Sequence, residues 1–378
     1  MGRAARLPLL AALAAAQQAL EAPVDIRSPG CEQRWAPYVS GLHEIPLPVT
    51  PRKYMLFLPT KYLQSKPSPL WLLAPGAYET AERFLYVSGM LQWAETQNIA
   101  FAALESAMIQ GLNVGLHSQH VPGMPDDVEY TRNVLRDVSH KLCIDMDRIR
   151  CVGYSRGARF CSRLASELSS FVKGIAPVAG VRYPLPNNAT WPMPIIAVHG
   201  THDRINPYWG VGDPSYWNAS VPVAINTWSS FNGCKFNKWA RISKHVVLHE
   251  HFDCRDDASV VLVMIESGGH TWPGSKAFEA SQFGKTTMEI SANQVIQQFF
   301  LKHPRKSTCH TARQGELCYE AVQKAAAEGV AMHPEWAPRI NGASTFEDYQ
   351  ALLHDEILAD CPRPCNQARQ TSPAFRYV

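Results

Sequence analysis

The sequence predicts an α/β fold, a mostly parallel β-sheet with helices on both faces. Short apolar segments that end at Pro or Gly alternate with segments of helical periodicity through most of the chain. The apolar segments are continuous rather than alternating, which is typical of parallel strands buried on both faces. Alternation of the two kinds of segment favours a parallel sheet covered by helices over an all-β or all-α architecture.

Seven apolar segments are predicted strands: Lys53–Pro59, Pro69–Gly76, Ile99–Ser106, Arg148–Gly153, Lys173–Gly180, Pro194–Gly200 and Ser259–His270. Three segments are predicted helices: 126–142 with Asp126 as N-cap, 158–171, and a closing helix in 286–303. In the second helix, the spacing of Phe160, Leu164, Leu168 and Phe171 places four apolar side chains on one face.

The chain divides into three predicted segments. Residues 1–22 read as a secretory signal peptide, because Arg3 and Arg6 precede an apolar run and then small residues. That run is too short for a membrane span, which needs about 20 apolar residues. Residues 23–303 form the predicted α/β domain. Residues 304–378 form a small helical module that contains four cysteines.

The composition and the sequence motifs indicate which binding partners and which cellular compartment to expect. The formal net charge is only +3 and no Lys/Arg-rich run is present, so the sequence does not favour a nucleic-acid partner. No later segment predicts a membrane span. The sequons at Asn188 and Asn218 agree with secretion and are candidate glycosylation sites.

A candidate nucleophile lies in the middle of the chain. Residues Gly153-Tyr-Ser155-Arg-Gly157 fit the pattern G-x-S-x-G, between a predicted strand and a predicted helix. A serine on such a sharp turn projects its hydroxyl at the carboxyl end of the sheet, and the positive end of the following helix favours a developing negative charge. The alternative is that Ser155 only forms a tight turn.

A serine nucleophile needs a base, and the base needs an acid that orients it. Asp203 and His270 each follow a later predicted strand, in the chain order Ser, Asp, His that this fold uses. Active sites of open α/β sheets gather at these strand ends. The competing histidines are His199, His202 and His249, and the competing acids are Glu266 and Asp213.

The oxyanion of such a reaction needs two backbone N–H donors. Arg156, directly after the serine, is one candidate, and Ala77, after Pro75-Gly76, is the other. The Arg156 side chain either meets an acidic part of a substrate or points to solvent. The predicted chemistry requires neither a metal nor an organic cofactor.

Several segments resemble the polyhydroxybutyrate depolymerase and feruloyl esterase group of secreted α/β-hydrolases. They are "PGMPDDVEYTRNVL", "DMDRIRCVGYSRGARF", "IAPVAG", "PIIAVHGTHDRINPY" and above all "GGHTWPG". The resemblance extends from about Cys31 to about His303. It implies an α/β-hydrolase fold with Ser155 as nucleophile, Asp203 as acid and His270 as base.

The resemblance also implies substrate contacts. By this resemblance, Trp272 forms an aromatic wall beside the acyl or polymer chain of the substrate, and simple packing is an equal alternative. Tyr154 is a further predicted substrate contact. The chain departs from the group at Pro75-Gly76, where His-Gly is usual, and at the bulky Arg156. The Pro75-Gly76 departure does not remove the backbone N–H of Ala77, so this predicted oxyanion donor is still present.

The ten cysteines divide into several groups. Cys151 and Cys161 lie in apolar patterns and are predicted to be buried free thiols. Cys234 and Cys254 bracket a hairpin-like stretch and look like a disulfide. The partner of Cys31 stays open.

The C-terminal module has four cysteines and two helix candidates, Glu316–Glu328 and a helix from Ser344 with a Ser344/Glu347 capping box. Disulfides would supply stability that its small core lacks. Of three connectivities, the nested one, Cys309 with Cys365 and Cys318 with Cys361, suits two antiparallel helices. A zinc site is the less favoured alternative, because secretion favours disulfides.

The sequence therefore predicts a secreted serine carboxylic-ester hydrolase. Its substrates would be feruloyl or acetyl esters of polysaccharides, or short-chain polyesters such as polyhydroxybutyrate. The alternatives are a serine peptidase on the same fold and a catalytically dead carbohydrate-binding or adhesion protein. The module would contact polysaccharide or cell wall, or serve only as a structural appendage.

Overall fold

The computed structural model describes residues 26–365 except 49, 110, 111, 214, 215, 279 and 306. The predicted signal peptide, residues 1–22, lies outside the described residues. The predicted domain boundary at residues 303 and 304 stays a prediction.

A ten-stranded sheet dominates the structure, in the order β1-β2-β4-β3-β7-β8-β9-β12-β11-β10. The six central strands, from β4 to β12, pair in parallel, and the two strands at each edge pair antiparallel. A separate hairpin joins β5 to β6. The strands are β1 Gly41–Pro46, β2 Lys53–Leu58, β3 Ser68–Ala74, β4 Ala100–Leu104, β5 Met108–Ile109, β6 Leu112–Asn113, β7 Ile144–Tyr154, β8 Ile175–Val178, β9 Ile195–Gly200, β10 Phe236–Ser243, β11 Val246–Phe252 and β12 Val260–Ile265.

The α-helices are α1 Ala81–Ser88, α2 Met90–Gln97, α3 Asp127–Lys141, α4 Arg156–Glu167, α5 Val221–Asn232, α6 Ala280–Phe283, α7 Ala292–Lys302, α8 Leu317–Met332 and α9 Phe346–Asp355. The Asp126 side chain caps α3, as predicted, by accepting the N–H of Val128. The four apolar residues expected on one face around α4 are all buried.

The α/β fold and all seven predicted strands are confirmed. Two large apolar clusters fill the space between sheet and helices. Strand β1 was not predicted, because "GLHEIP" is half exposed at a sheet edge and lacks a continuous apolar run. The sequence pattern therefore locates the buried centre of the sheet better than its margins.

The C-terminal segment has its own small core around α8 and α9. Two disulfides close it in the nested arrangement, Cys309–Cys365 and Cys318–Cys361. The capping box lies one residue later than predicted: the Thr345 side chain accepts the Asp348 N–H, and Asp348 accepts the Thr345 N–H. Both frames fit the pattern, because Ser-Thr-Phe-Glu-Asp offers a hydroxyl and a carboxylate in each.

The C-terminal segment contacts the large sheet domain. Ile357, just after α9, belongs to one of the two main apolar clusters and is buried. Arg136 on α3 donates to the carbonyl oxygens of Glu356 and Ile357. The Asp360 carboxylate accepts the N–H groups of Ser169 and Ser170. These contacts fix the segment against the turn that follows α4.

The prediction of free thiols at Cys151 and Cys161 is wrong: the structure joins them in a disulfide between β7 and α4. An apolar pattern does not distinguish a buried thiol from a buried disulfide. Cys31 pairs with Cys143, and Cys234 pairs with Cys254 across the ends of the β10–β11 hairpin. All ten cysteines are therefore paired.

Asn188 and Asn218 both lie on the surface, where a glycosylating enzyme could reach them. Within the described residues, no helix has the length and apolarity needed to cross a bilayer.

Candidate active site

Ser155 lies between β7 and α4 on a strained turn. Its φ of 55° and ψ of −115° are rare for a residue with a side chain, and such strain clusters at functional sites. Glycines make the turn possible by close packing. A Cβ at Gly153 would overlap the carbonyl oxygen of Gly157, and a Cβ at Gly157 would overlap that of Ala74. The glycines therefore let α4 pack directly against the sheet.

The structure brings Ser155, His270 and Asp203 together at the carboxyl edge of the sheet. Asp203 follows β9 and His270 follows β12, and these two strands are parallel neighbours. The Ser155 Oγ lies 2.8 Å from the His270 Nε2, and the His270 Nδ1 lies 2.7 Å from the Asp203 Oδ2. A Ser hydroxyl that donates to Nε2, with Nδ1–H donating to the carboxylate, is the arrangement of a serine-hydrolase triad.

The environment sets the charges of the acid and the base. Burial of Asp203 disfavours its ionisation, but hydrogen bonds from His199 and His270 outweigh this and hold its pKa well below its usual range. Burial lowers the pKa of His270, against the opposing charge of Asp203. His270 is thus neutral and Asp203 ionised at neutral pH, as a base and its orienting acid require.

Backbone contacts hold His270 in place. Its N–H donates to the Phe283 carbonyl oxygen over 2.6 Å, and its own carbonyl accepts the Tyr154 hydroxyl over 2.8 Å. The preceding Gly268 and Gly269 have ordinary negative-φ backbone. They are needed for space, because a Cβ at Gly269 would overlap the Phe283 carbonyl oxygen. Close packing, rather than conformational freedom, explains this glycine pair.

The loop that carries Asp203 is held by its own hydrogen bonds. The Asp203 Oδ1 accepts the N–H groups of Ile205 and Asn206, over 2.9 and 2.8 Å. The buried His199 donates from its Nε2 to the Asn206 carbonyl oxygen and lies 3.3 Å from the Asp203 Oδ2. His199 is therefore a support for the acid and does not contact Ser155.

The other competing residues lie away from Ser155. His202 is exposed and contacts Thr201, and His249 stacks on Trp239 in the β10–β11 hairpin. Glu266 pairs with Arg241 on the surface, and Asp213 forms an isolated bridge with Trp217. Only His270 and Asp203, of all these candidates, form a continuous hydrogen-bonded path to the serine.

Ala77 and Arg156, the predicted oxyanion donors, both line the cleft that contains Ser155. Arg156 is the first residue of α4, where a backbone N–H has no acceptor within the helix. The Ala77 turn is fixed by Glu79, whose carboxylate accepts the Gly76 N–H over 2.9 Å. Gly115 lies close to both residues. A Cβ at this position would crowd the Arg156 side chain and the Ala77 backbone.

Ser155 and His270 open into a cleft of about 780 Å³. Its wall combines aromatic rings, among them Tyr78, Tyr154, Tyr216, Phe278 and Phe283, with the arginines Arg83, Arg156 and Arg159. Tyr78 is 79% exposed and has a left-handed backbone at φ 60°, so its ring stands at the mouth. The volume suits a small acyl or aromatic group with an open side for a larger alcohol.

Trp272 does not line the cleft, in contrast to the aromatic wall that the resemblance implied. It is 1% exposed, packs edge-on against Phe84 and Tyr154, and donates its indole N–H to Asn293. Trp272 supports Tyr154 from behind, and Tyr154 itself reaches the cleft.

Sequence reasoning missed Arg159, Tyr216, Phe278 and Phe283 as cleft residues. Arg159 had a usable signal, because it lies one helical turn after Ser155 and so near the same end of α4. The other three lie in or beside loops, and only the tertiary fold brings them to Ser155. In the described part of the chain, no cluster of His, Cys, Asp or Glu could hold a metal ion.

No protein-family model matches the chain. It is 24% identical over 256 residues to NocK of Nocardia uniformis subsp. tsuyamanensis, which is named as an esterase; the match covers 62% of this chain and 74% of that one. It is 24% identical over 238 residues to feruloyl esterase B of Piromyces equi, covering 58% of this chain and 42% of that one. The chain therefore spans less than half of this feruloyl esterase.

Among solved structures, an acetyl xylan esterase from Aspergillus awamori has a TM-score of 0.46 at 12% identity, covering 61% of this chain and 94% of that one. The sequence relatives support carboxylic ester hydrolase activity. The strand order and the order Ser155, Asp203, His270 along the chain fit an α/β-hydrolase fold, and the sequence relatives are named as esterases.

Proposed function

We propose that the chain hydrolyses carboxylic esters through a covalent acyl-enzyme on Ser155. The observation that carries this proposal is the hydrogen-bonded path from Ser155 through His270 to Asp203, at the floor of an open cleft. The lowered pKa values of Asp203 and His270 agree with an ionised acid and a neutral base at neutral pH, as the proposed roles require.

In the first half of the reaction, the Ser155 Oγ attacks the ester carbonyl carbon while its proton passes to the His270 Nε2. The backbone N–H groups of Ala77 and Arg156 stabilise the oxyanion. His270 then gives the proton to the departing alkoxide oxygen, and the C–O bond breaks. The alcohol leaves, and the acyl group stays on Ser155.

In the second half, His270 takes a proton from water, whose oxygen attacks the acyl carbon. Collapse of this second oxyanion returns the proton to Ser155 and releases the acid. Asp203 stays ionised throughout and stabilises the imidazolium that forms twice per turnover. Every proton is moved by groups of the chain, the substrate or water.

For the substrate, we propose feruloyl or acetyl esters on polysaccharides, or short-chain polyesters. The aromatic cleft wall and its exposed Tyr78 support an aromatic or small acyl group with a polymer outside. Two relatives are named feruloyl esterases. A secreted enzyme is supported by the five disulfides and the two exposed sequons, because disulfides persist in oxidising compartments.

The test uses 4-nitrophenyl acetate and butyrate with the full-length protein. Ser155→Ala should abolish turnover while circular dichroism and thermal unfolding stay unchanged. Ser230→Ala, on the exposed face of α5, is the matched serine control and should keep full activity. Undiminished hydrolysis by Ser155→Ala would refute the nucleophile assignment.

Two further comparisons complete the assignment. Activity should survive His202→Ala and be lost in His270→Ala, which separates the two nearby histidines. The kcat/KM values for methyl ferulate, acetylated xylan and polyhydroxybutyrate then rank the acyl groups that the protein prefers. Activity on a peptide substrate with none on any ester would favour the peptidase alternative.

A further inference from the structure

Among the described residues that line the cleft containing Ser155, positive side chains outnumber negative ones. Three arginines line it, namely Arg83, Arg156 and Arg159, and of the described lining residues only Glu79 is acidic. The Glu79 carboxylate accepts the Gly76 N–H over 2.9 Å, and burial raises its pKa. None of the three arginines has a carboxylate within 4.0 Å, the limit for an ion pair, among the described residues.

Arg159 is the most unusual of the three, because it is only 8% exposed. Its Nη2 donates to the Asn206 Oδ1, and its Nη1 donates to the Tyr216 carbonyl oxygen over a long 3.4 Å. Its guanidinium carbon lies 4.7 Å from the Tyr216 ring and 5.2 Å from the Trp217 ring. Among the residues that the structure describes, its Nε has no hydrogen-bond partner. Its direct partners are neutral, and the ionised Asp203 acts on it from beyond ion-pair distance. Burial of such a guanidinium is costly unless a further anion approaches it.

Arg156 extends the same positive wall. Its Nε donates to the Leu116 carbonyl oxygen over 3.2 Å, which holds the half-buried side chain along the cleft. Arg156 and Arg159 are three residues apart on α4, and such residues are neighbours on a helix surface. The two guanidinium groups thus lie on the helix that begins at the nucleophile.

We propose that this cleft binds esters that carry a carboxylate, and that Arg156 and Arg159 recognise it. The proposal rests on the ester hydrolase function proposed above and specifies its substrate class. The planar guanidinium matches a carboxylate in two parallel hydrogen bonds, which a rounder anion does not reproduce. The carboxylate belongs either to the acyl group or to the alcohol, as in an ester of an acidic sugar.

Two pairs of chromogenic or ultraviolet-active esters distinguish these sources. For the acyl side, mono-4-nitrophenyl adipate is compared with the 4-nitrophenyl ester of adipic monoamide. For the alcohol side, 4-carboxyphenyl acetate is compared with 4-carbamoylphenyl acetate. Each pair has the same shape and differs by one negative charge, and uncatalysed hydrolysis is subtracted.

With the wild-type protein, the carboxylate ester of at least one pair should have a kcat/KM about 10-fold above that of its carboxamide, the effect of one charge-assisted hydrogen bond. The pair that shows the preference identifies the side of the ester that carries the anion. The preference should shrink as KCl is raised. This measurement needs no variant and so does not depend on whether a variant folds.

Arg159→Gln and Arg156→Gln should each reduce the ratio of the two kcat/KM values toward one. The ratio is the readout because either change could also disturb the catalytic groups nearby. Arg241→Gln, on an exposed arginine in the β10–β11 hairpin, is the matched control and should keep the wild-type ratio.

Failure of this inference and failure of the proposed ester hydrolase function would give different results. Rapid hydrolysis of both carboxamide esters with no preference for either carboxylate would overturn this inference and leave the ester hydrolase function intact. A preference that persists in both cleft variants would also overturn it. No hydrolysis of any of the four esters would count against the proposed function itself, and this inference would fall with it.

Discussion

His270 shows how a single side chain depends on its surroundings. The His270 side chain is only 2% exposed, its Nε2 lies against the Ser155 hydroxyl, and its Nδ1 lies against the Asp203 carboxylate. Burial favours the neutral ring and the Asp203 charge favours the protonated one, and burial has the larger effect. The base is therefore held ready in its neutral form.

This balance predicts the pH dependence. A group whose pKa is lowered keeps its neutral form to lower pH, so kcat/KM should lose half its value on the acid side below pH 6.5, the ordinary pKa of histidine. The measurement is kcat/KM for 4-nitrophenyl butyrate between pH 4.5 and 8. A midpoint above 6.5 would mean that the Asp203 charge outweighs burial.

At the scale of elements, the strand–turn–helix unit β7–α4 is the part of the fold that the chemistry needs most. Its helix lies so close to the sheet that Gly157 touches the backbone of β3. The Cys151–Cys161 disulfide ties the strand to the first turns of the helix. Both features hold Ser155 in its strained conformation.

Gly157→Ala tests this close packing. Its Cβ would overlap the Ala74 and Pro75 carbonyl oxygens, which are backbone atoms that cannot rotate away. We expect a loss of about 3 kcal/mol in the free energy of unfolding, together with loss of activity. The measurement is urea unfolding followed by circular dichroism.

The matched control is Gly342→Ala, at an exposed turn where a Cβ would meet no heavy atom within 4 Å. Its free energy of unfolding should change by less than about 0.5 kcal/mol. Equal stability of the Gly157 and Gly342 variants would show that α4 is not packed as tightly as described.

In the whole molecule, the C-terminal segment and the sheet domain have separate apolar cores, and they also contact each other. Ile357 is buried in a main apolar cluster, although its left-handed backbone at φ 51° is unfavourable for a β-branched residue. The contacts of Arg136 and Asp360 reinforce the junction. We therefore expect the two parts to unfold together.

Calorimetry tests this coupling. The wild-type protein should give one cooperative transition, and Ile357→Ala should destabilise it by about 2 kcal/mol, less than a typical buried Ile→Ala because backbone strain is relieved. Val223→Ala, on the exposed face of α5, should have almost no effect. Two separate transitions, with only the smaller one shifted by Ile357→Ala, would contradict the coupling.

The sequence was sufficient for the parts of the molecule that follow local rules. Continuous apolar runs located the central strands, and G-x-S-x-G between strand and helix located Ser155. The sequence could not show that Trp272 lies behind Tyr154 or that Cys151 faces Cys161. Both facts depend on how separate elements pack against one another in the folded chain. Tyr216 escaped for the same reason, whereas the position of Arg159, one helical turn after Ser155, was a usable signal.

Covalent labelling tests directly whether Ser155 is an activated nucleophile. The full-length protein is treated with a 4-nitrophenyl ethylphosphonate ester and analysed by intact-protein and peptide mass spectrometry. We expect one phosphonyl group on Ser155, none after unfolding in urea and none in His270→Ala. Labelling at another residue, or ester hydrolysis that continues with Ser155 unlabelled and the reagent in excess, would contradict it.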